Sequence, residues 1–548
     1  MGIKHFFTWF KSNFPNRITS FATLNRPEIP IDYFMVDLNG VFHNSAQKIF
    51  QYGNFARPQS ILRPTRKPNA SQLLYRACYE DVCQTIDTLV DIAKPRERLI
   101  LAIDGVAPLS KQNQQRQRRY RGVVENPTPP EGSFDANCIT PGTEFMYDLS
   151  QYIDFHIRKN ISSGKWKFEV IFSDEKCPGE GEHKLINFIR KFGTESKTYC
   201  INALDADLFM LSLGTKMPNF YLLREDLYDP RYDYMYVDIG EVDKDLKRLL
   251  AWEGCMPDSL IPDFILICFL CGNDFLPNIP SISIMENGLN DMVNFYKKNA
   301  RHLVDEETKI NIPAFRLFLE SIAGSEHNMM VNKIKHRNDY IEDTLLSKWS
   351  NPVDFVLPEY QTMYRERHGL EDVKTVCHSY LQGCHWVLSY YLSGIRNWDW
   401  MYRYSYAPFA SDLALHIDTL EVSPFEKTEP LLPIQQLLCV LPPRSFKFLA
   451  LPFRTFYQRF PDFYPEKFNI NYEGKKKKWE GVVELPAIEV EAIKKESTPL
   501  LWKLSQQDVV RNKTAIPVQY GVSEFLADFK CQFGTIRKCQ VDVSEIIF

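Results

Sequence analysis

Residues 177–190 read CPGEGEHKLINFIR, with Glu180 and Glu182 alternating with Gly179 and Gly181 ahead of a helical pattern of Leu185, Ile186 and Ile189. One reading is a solvated loop before a helix, since acids favour helix N-termini. The other is a pair of carboxylates aimed at something positive, on a backbone free to bend. Five further acids bear on the choice. Asp37 closes the apolar run DYFMVDLNG (32–40), and Asp104 closes ERLILAIDG (97–105). Asp205 and Asp207 lie in KTYCINALDADLFML (197–211), and Asp274 lies in LCGNDFLPNIP. Singly, each reads as a turn residue or a helix cap. Together, ionised carboxylates repel and take up protons unless counter-charge arrives. Divalent cations supply it. Oxygen ligands without clustered Cys or His favour Mg²⁺ or Mn²⁺ over Zn²⁺. Two such ions about 4 Å apart can activate a water and stabilise the leaving oxygen of a phosphodiester.

Directly after Asp104 comes GVAPLSKQNQQRQRRYRG, which holds five cations and no acid between Lys111 and Arg121. On a helix, Lys111, Gln115, Arg118 and Arg119 share an arc of about 100°. A plain reading is a solvated basic face. A cationic pocket beside a metal site also suits a terminal phosphate.

These side chains need a scaffold. The short apolar runs alternate with helix-length segments such as 73–93, which predicts a parallel α/β sheet. Ligands of such sheets bind outside the carboxyl ends of the strands. Three of the runs carry their Asp at that end.

The chain has 548 residues and a net charge of −4, with 24% charged and 44% hydrophobic residues. That composition excludes wholesale coating of nucleic acid but allows a local basic site. No apolar run reaches the roughly 20 residues of a membrane helix. MGIKHFFTWF lacks the apolar core of a signal peptide and the Ser or Thr of a myristoylation signal. Thirteen scattered cysteines are expected to be reduced thiols of an intracellular, cytoplasmic protein. Cys268-x-x-Cys271 sits in an apolar run with no second pair nearby, so it is read as structural.

In order along the chain, MGIKHFFTWF, VDLNGVFHN, AIDGVAPLSKQNQQRQRRYR, FDANCITPGTEFM, PGEGEHKLINFIR, ALDADLFML and GNDFLPNIP resemble the motifs of the XRN family of 5′→3′ exoribonucleases. A second block, at 380–412, 431–443 and 462–482, resembles the family too; coverage is about 1–290 and 370–490. The resemblance implies a PIN/FEN-like core, a mostly parallel sheet flanked by helices, over 1–300. It implies a variable spacer at 301–365 and a helical second block at 366–548 that buttresses the site. It implies that the seven carboxylates bind two Mg²⁺ ions and that Lys111, Gln115, Arg118 and Arg119 hold a 5′-monophosphate. His43 and Trp386 match a base-stacking pair, with Trp398 and Trp400 as alternatives for the tryptophan. The implied substrate is single-stranded, 5′-monophosphorylated, decapped RNA, degraded processively by a monomer. Lys4-His5 stands where the family has a Pro-containing pair, and Ser405 where it usually has His. Nothing after residue 490 resembles the long C-terminal extensions of large family members, and no segment resembles the zinc knuckle of others, so the expectation is a minimal catalytic core. A flap-type DNA nuclease or a non-catalytic RNA-binding scaffold are the competing readings.

Overall fold

A computed structural model describes residues 2–55, 70–125, 133–202, 204–227, 229–336, 343–349, 351–419 and 422–548. The apolar runs form strands: β1 (Ile18–Phe21), β2 (Tyr33–Asp37), β3 (Arg98–Ala102), β4 (Glu169–Ser173), β5 (Tyr199–Asn202), β6 (Phe220–Glu225) and β7 (Tyr234–Asp238). Later come the short β8 (Ile470–Asn471) and β9 (Val482–Val483), then the long β10 (Val518–Cys531) and β11 (Gly534–Glu545). Nine of them make one sheet in the order β1-β7-β6-β5-β2-β3-β4-β10-β11. The five central strands, β6 to β4, are parallel, and two antiparallel strands flank them on each side.

Helices cover both faces: α1 (Phe6–Asn13), α2 (Leu38–Phe50), α3 (Ala70–Ala93), α4 (Leu109–Glu125), α5 (Glu144–Ser162), α6 (Gly181–Phe192) and α7 (Asp207–Gly214). Met35, Ile100, Ile171 and Ile201 pack on one side with residues of α1, α6 and α7. Phe34, Val36, Leu99 and Leu101 pack on the other with α2, α3 and α5. Burial on both faces explains why these strands read as continuous apolar runs rather than alternating ones.

Beyond β7 the chain is largely helical: α8 (Ile239–Leu250), α9 (Leu260–Phe269), α10 (Gly288–Asn299), α11 (Ile312–Ala323), α12 (Glu326–Lys335), α13 (Leu357–His368), α14 (Val373–Ser393), α15 (Ala410–His416) and α16 (Pro433–Val440). Of the expected spacer at 301–365, residues 337–342 and 350 lie outside the described residues. The stretch 366–548, expected to be mainly helical, also carries two long strands near its end. β10 pairs antiparallel with β4, with Val518 opposite Phe172 and Tyr520 opposite Val170. The physical reason is the edge of β4, whose N–H and C=O groups would otherwise lie open.

The second block also grips α4. Gln436 accepts the Ala107 N–H at 2.7 Å, and Trp398 O accepts the Leu109 N–H at 2.8 Å. Arg116, fully buried, donates to the carbonyls of Phe463 and Pro486. The opposite face of α4 is left for the sheet edge. All thirteen cysteines are free thiols, and Cys268 and Cys271 are buried in the core. No helix among the described residues is long and apolar enough to cross a membrane.

Candidate active site

The acids arrive at the carboxyl ends of adjacent strands. Asp37 ends β2 and caps α2, accepting the Asn39 N–H at 3.2 Å. Asp104 follows β3, Glu180 and Glu182 follow β4, and Asp205 and Asp207 follow β5. Because β5, β2, β3 and β4 are neighbours in one parallel sheet, their ends share one edge. β4 was not legible as a strand in the sequence, yet it delivers both glutamates.

Glycine is what allows the close approach. The Gly181 N–H donates to Asp104 at 2.7 Å, and a Cβ on Gly181 would stand 2.5 Å from the Asp37 carboxylate. Gly105 and Gly179 zip the neighbouring loops together: Gly105 donates to Gly179 O at 2.9 Å, and Gly179 donates to Val106 O at 2.8 Å. At the N-terminus, a Cβ on Gly2 would collide with Asp207. The glycines around Glu180 and Glu182 therefore bring backbone against carboxylate, which a solvated loop has no need to do.

Asp37, Asp104, Glu180, Glu182 and Asp205 line one cavity of about 680 Å³, with Asp207 buried behind them and Asp274 reaching the cluster from the loop after α9. Positive charge is scarce among them. Lys111 Nζ sits 2.6 Å from Glu180 and 2.8 Å from Asp274. Burial raises the Asp274 carboxyl, but cations led by Lys111 overcome it and hold it at about 2. Burial raises Asp205 as well, yet nearby positive charge still holds it below its usual range; three other acids are not so relieved. Burial and the Asp104 charge push Asp37 up to about 8. Burial and Asp274 push Asp207 up to about 7. Burial and Asp207 drive Glu182 well above the usual carboxylate range. One oxygen each of Glu182 and Asp207 is buried without a partner. Among the described residues no three His, Cys, Asp or Glu side chains are grouped closely enough to hold one ion between them. The donor chemistry nevertheless fits a hard divalent cation: oxygen only, buried, and short of positive charge.

The basic face opens onto the same cavity. Gln115, Arg118 and Arg119 line it together with Lys111. Arg119 is clamped, donating to Asn137 Oδ1 at 3.0 Å and to Thr140 Oγ1 at 2.7 Å, with its Nε free of any partner. Burial and the adjacent Arg118 lower it to about 9. Gln115 Oε1 is buried and unpartnered, while Arg118 is exposed. His43, on α2, lines the cavity as a neutral ring, because burial and the two arginines pull it down to about 3.

Trp386 is not brought to His43. Its ring packs on Phe275, Tyr390 and Trp400, and its Nε1–H donates to Asn397 O at 2.9 Å. Neither Trp386, Trp398 nor Trp400 lines the cavity. The aromatic that does serve the acids is Tyr390, whose hydroxyl donates to Glu180 at 2.8 Å while its ring stacks on His183 at 3.7 Å. Trp386 and Tyr390 lie four residues apart on α14, a helical spacing that turns them to the same side. Asn137 and Thr140, which aim Arg119, also went unread as site residues.

Comparison with known proteins bears on the whole chain. The family model for the XRN 5′-3′ exonuclease N-terminus matches residues 1–226, and that for the Xrn1 helical domain matches 256–369 and 359–532. A 5′-3′ exoribonuclease 2 homolog of Drosophila melanogaster is 27% identical over 682 residues, covering 94% of this chain and 72% of the relative. The 5′-3′ exoribonuclease 1 of Homo sapiens is 27% identical over 621 residues, covering 94% of this chain and 35% of the relative, so the chain spans about a third of that protein. A crystal structure of T5 D15 protein co-crystallized with metal ions aligns with 55% of this chain at 11% identity and a TM-score of 0.27, too low to carry an argument. Two family models that together reach from residue 1 to residue 532 show that this chain belongs to the XRN family of 5′-3′ exonucleases.

Proposed function

We propose that this chain hydrolyses single-stranded RNA from a 5′-monophosphorylated end, releasing nucleoside 5′-monophosphates one at a time with the help of Mg²⁺ or Mn²⁺. The observation that carries the reading is the opening of a cation-poor carboxylate cluster and a clamped basic helix face into one cavity of about 680 Å³. In this reading Asp37, Asp104, Glu180, Glu182, Asp205, Asp207 and Asp274 hold two divalent cations. When bound, these ions supply the positive charge that activates water and stabilises the departing 3′-oxygen.

The chain's own residues do the rest. Arg119, fixed by Asn137 and Thr140, offers its remaining N–H donors to the terminal phosphate without having to be ordered first. Gln115 and Arg118 complete that face. Lys111 serves as the internal counter-charge of Glu180 and Asp274, and it joins the phosphate contacts when those acids are otherwise neutralised. His43, held neutral, gives a base a flat surface without adding charge. Tyr390 steadies Glu180 through its hydroxyl.

End-labelled RNA carrying a 5′-phosphate, 5′-hydroxyl or 5′-triphosphate, incubated with Mg²⁺ or with EDTA, tests the proposal. Fast, Mg²⁺-dependent loss of the 5′-phosphorylated strand alone is expected. Equal rates on all three ends, or cleavage of branched DNA in preference to RNA, would overturn it.

A further inference from the structure

Beyond Arg118 lies a second cavity, of about 170 Å³, between the N-terminal segment, α4, the loop after α9 and the 475–482 loop. Its cations are Lys4, Arg118, Arg121 and Lys475, and its acids are Asp274 and Glu480. Both acids are engaged elsewhere. Asp274 holds Lys111. Glu480 accepts from the Lys476 and Lys477 N–H groups at 2.9 and 3.0 Å and faces the His5 ring at 3.3 Å. Arg121 is engaged too, donating to the carbonyls of Trp479 and Gly481 and so fixing the loop.

Lys4 and Lys475 are not. Among the described residues neither ammonium makes a hydrogen bond or an ion pair: Lys4 Nζ lies 5.6 Å from the Trp479 ring, and Lys475 Nζ lies 5.5 Å from the Tyr406 ring. Burial, then Lys4 and Lys333, pull the Lys475 ammonium down to about 7. Asn273, on the same wall, buries an amide Nδ2 that has no acceptor. Two part-buried amines and a buried amide donor therefore line a void in which none of the three has a hydrogen-bond acceptor, although the charge of Glu480 acts on Lys4. Trp479 is 42% exposed beside them. Lys4 and Ser405, both noted above as departures from the family pattern, line this one cavity.

We propose that the second cavity binds the phosphate of a nucleoside 5′-monophosphate, with Lys4, Lys475 and Arg118 on the phosphate and the Trp479 indole against the base. The choice of nucleotide as ligand rests on the function proposed above, because that hydrolysis releases one. The anion site itself does not. Phosphate is preferred to a carboxylate because several donors converge from different directions and a phosphate dianion has acceptors for all of them.

Equilibrium dialysis in EDTA with labelled AMP, run in parallel with inorganic phosphate, reads the site. The wild-type chain is expected to bind two AMP, one in each cavity. Lys4→Met combined with Lys475→Met removes one of them, and Arg119→Gln removes the other. Trp479→Ala weakens AMP at the second site by about tenfold, the value of one stacked base, and leaves phosphate unchanged. In the unmutated protein, AMP is expected to slow acylation of the Lys4 and Lys475 amines by at least about tenfold, read by peptide mass, which does not depend on a variant folding. Retention of both AMP by the double lysine variant, or unprotected lysines, would overturn the anion site. Phosphate binding as tight as AMP would overturn the nucleotide assignment. Retention of both AMP by Arg119→Gln, with the double lysine variant still losing one, would count against the proposed end recognition and leave the second site standing.

Discussion

The two cavities on either side of Arg118 are unbalanced in opposite directions. The larger holds carboxylates that burial and mutual repulsion push toward the protonated state, with Lys111 as their main neutraliser. The smaller holds lysines that burial and mutual repulsion push toward the neutral state, with both of its acids bound elsewhere. A folded chain of ordinary stability tolerates few such groups. The contrast is what both proposals rest on: the charge a void lacks names the ligand class proposed for it, cations for one and a phosphate for the other.

The largest effect belongs to the acidic side. Glu182→Gln keeps the shape and removes one charge, so hydrolysis of 5′-phosphorylated RNA should fall by at least about a hundredfold. The thermal midpoint of the cation-free protein should rise at the same time. A fall in that midpoint would mean that the cavity is not overloaded with negative charge. Arg119→Gln should lower the preference for 5′-phosphate over 5′-hydroxyl ends by roughly ten- to a hundredfold, the worth of one hydrogen bond to a charged group. Measured as a ratio of rates, an unchanged preference would reduce Arg119 to a general attraction for RNA.

Two aromatics separate core from cavity. Trp386→Ala should cost about 3–5 kcal/mol of stability in denaturant unfolding, as for a large buried side chain. His43→Ala should leave stability nearly alone and slow degradation by the roughly 1–3 kcal/mol of one lost stacking contact, most clearly through hairpins. Reversed results would place the tryptophan in the RNA path. The smallest effect is the pH dependence of stability. Asp37 has its pKa raised from 3.8 to about 8 when folded. The folded state then binds more protons than the unfolded one across that window, and stability is lost as pH rises through it. Lys475 has its pKa lowered from 10.5 to about 7, so the unfolded state binds more protons and stability is gained from pH 7 upward. Thermal melts in EDTA should therefore show an acid limb that Asp37→Asn flattens and an alkaline limb that Lys475→Met flattens. Limbs that ignore these substitutions would break the comparison.

Much of the acidic side was legible because it is local. An apolar run that ends in Asp places that Asp at a strand end, and β2, β3 and β5 follow the rule. β4 escaped because EVIFS starts with an acid, ends in Ser173 and has no helix-length segment between it and the glutamates. Lys111 was read with Arg118 and Arg119 on one helical face, which is correct as geometry. Periodicity could not reveal that the first turn of α4 leans toward Glu180 and Asp274. Nor could composition decide which aromatics of α14 face Phe275. The second cavity was the least legible, because it joins Lys4, Arg118, Asp274 and Lys475 from four distant stretches, and only the fold brings them together.

The pairing of β10 with β4 also sets a clock. Tyr520 donates to Asp154 from 366 residues further along the chain. At about 5–20 residues per second of synthesis, roughly 20–70 s separate the two on a ribosome. Through that interval β4 carries an open edge, the kind that recruits foreign strands. The strands that bear the acids are complete early, but their sheet is sealed late, so the half-made nuclease is the form most exposed to misassembly.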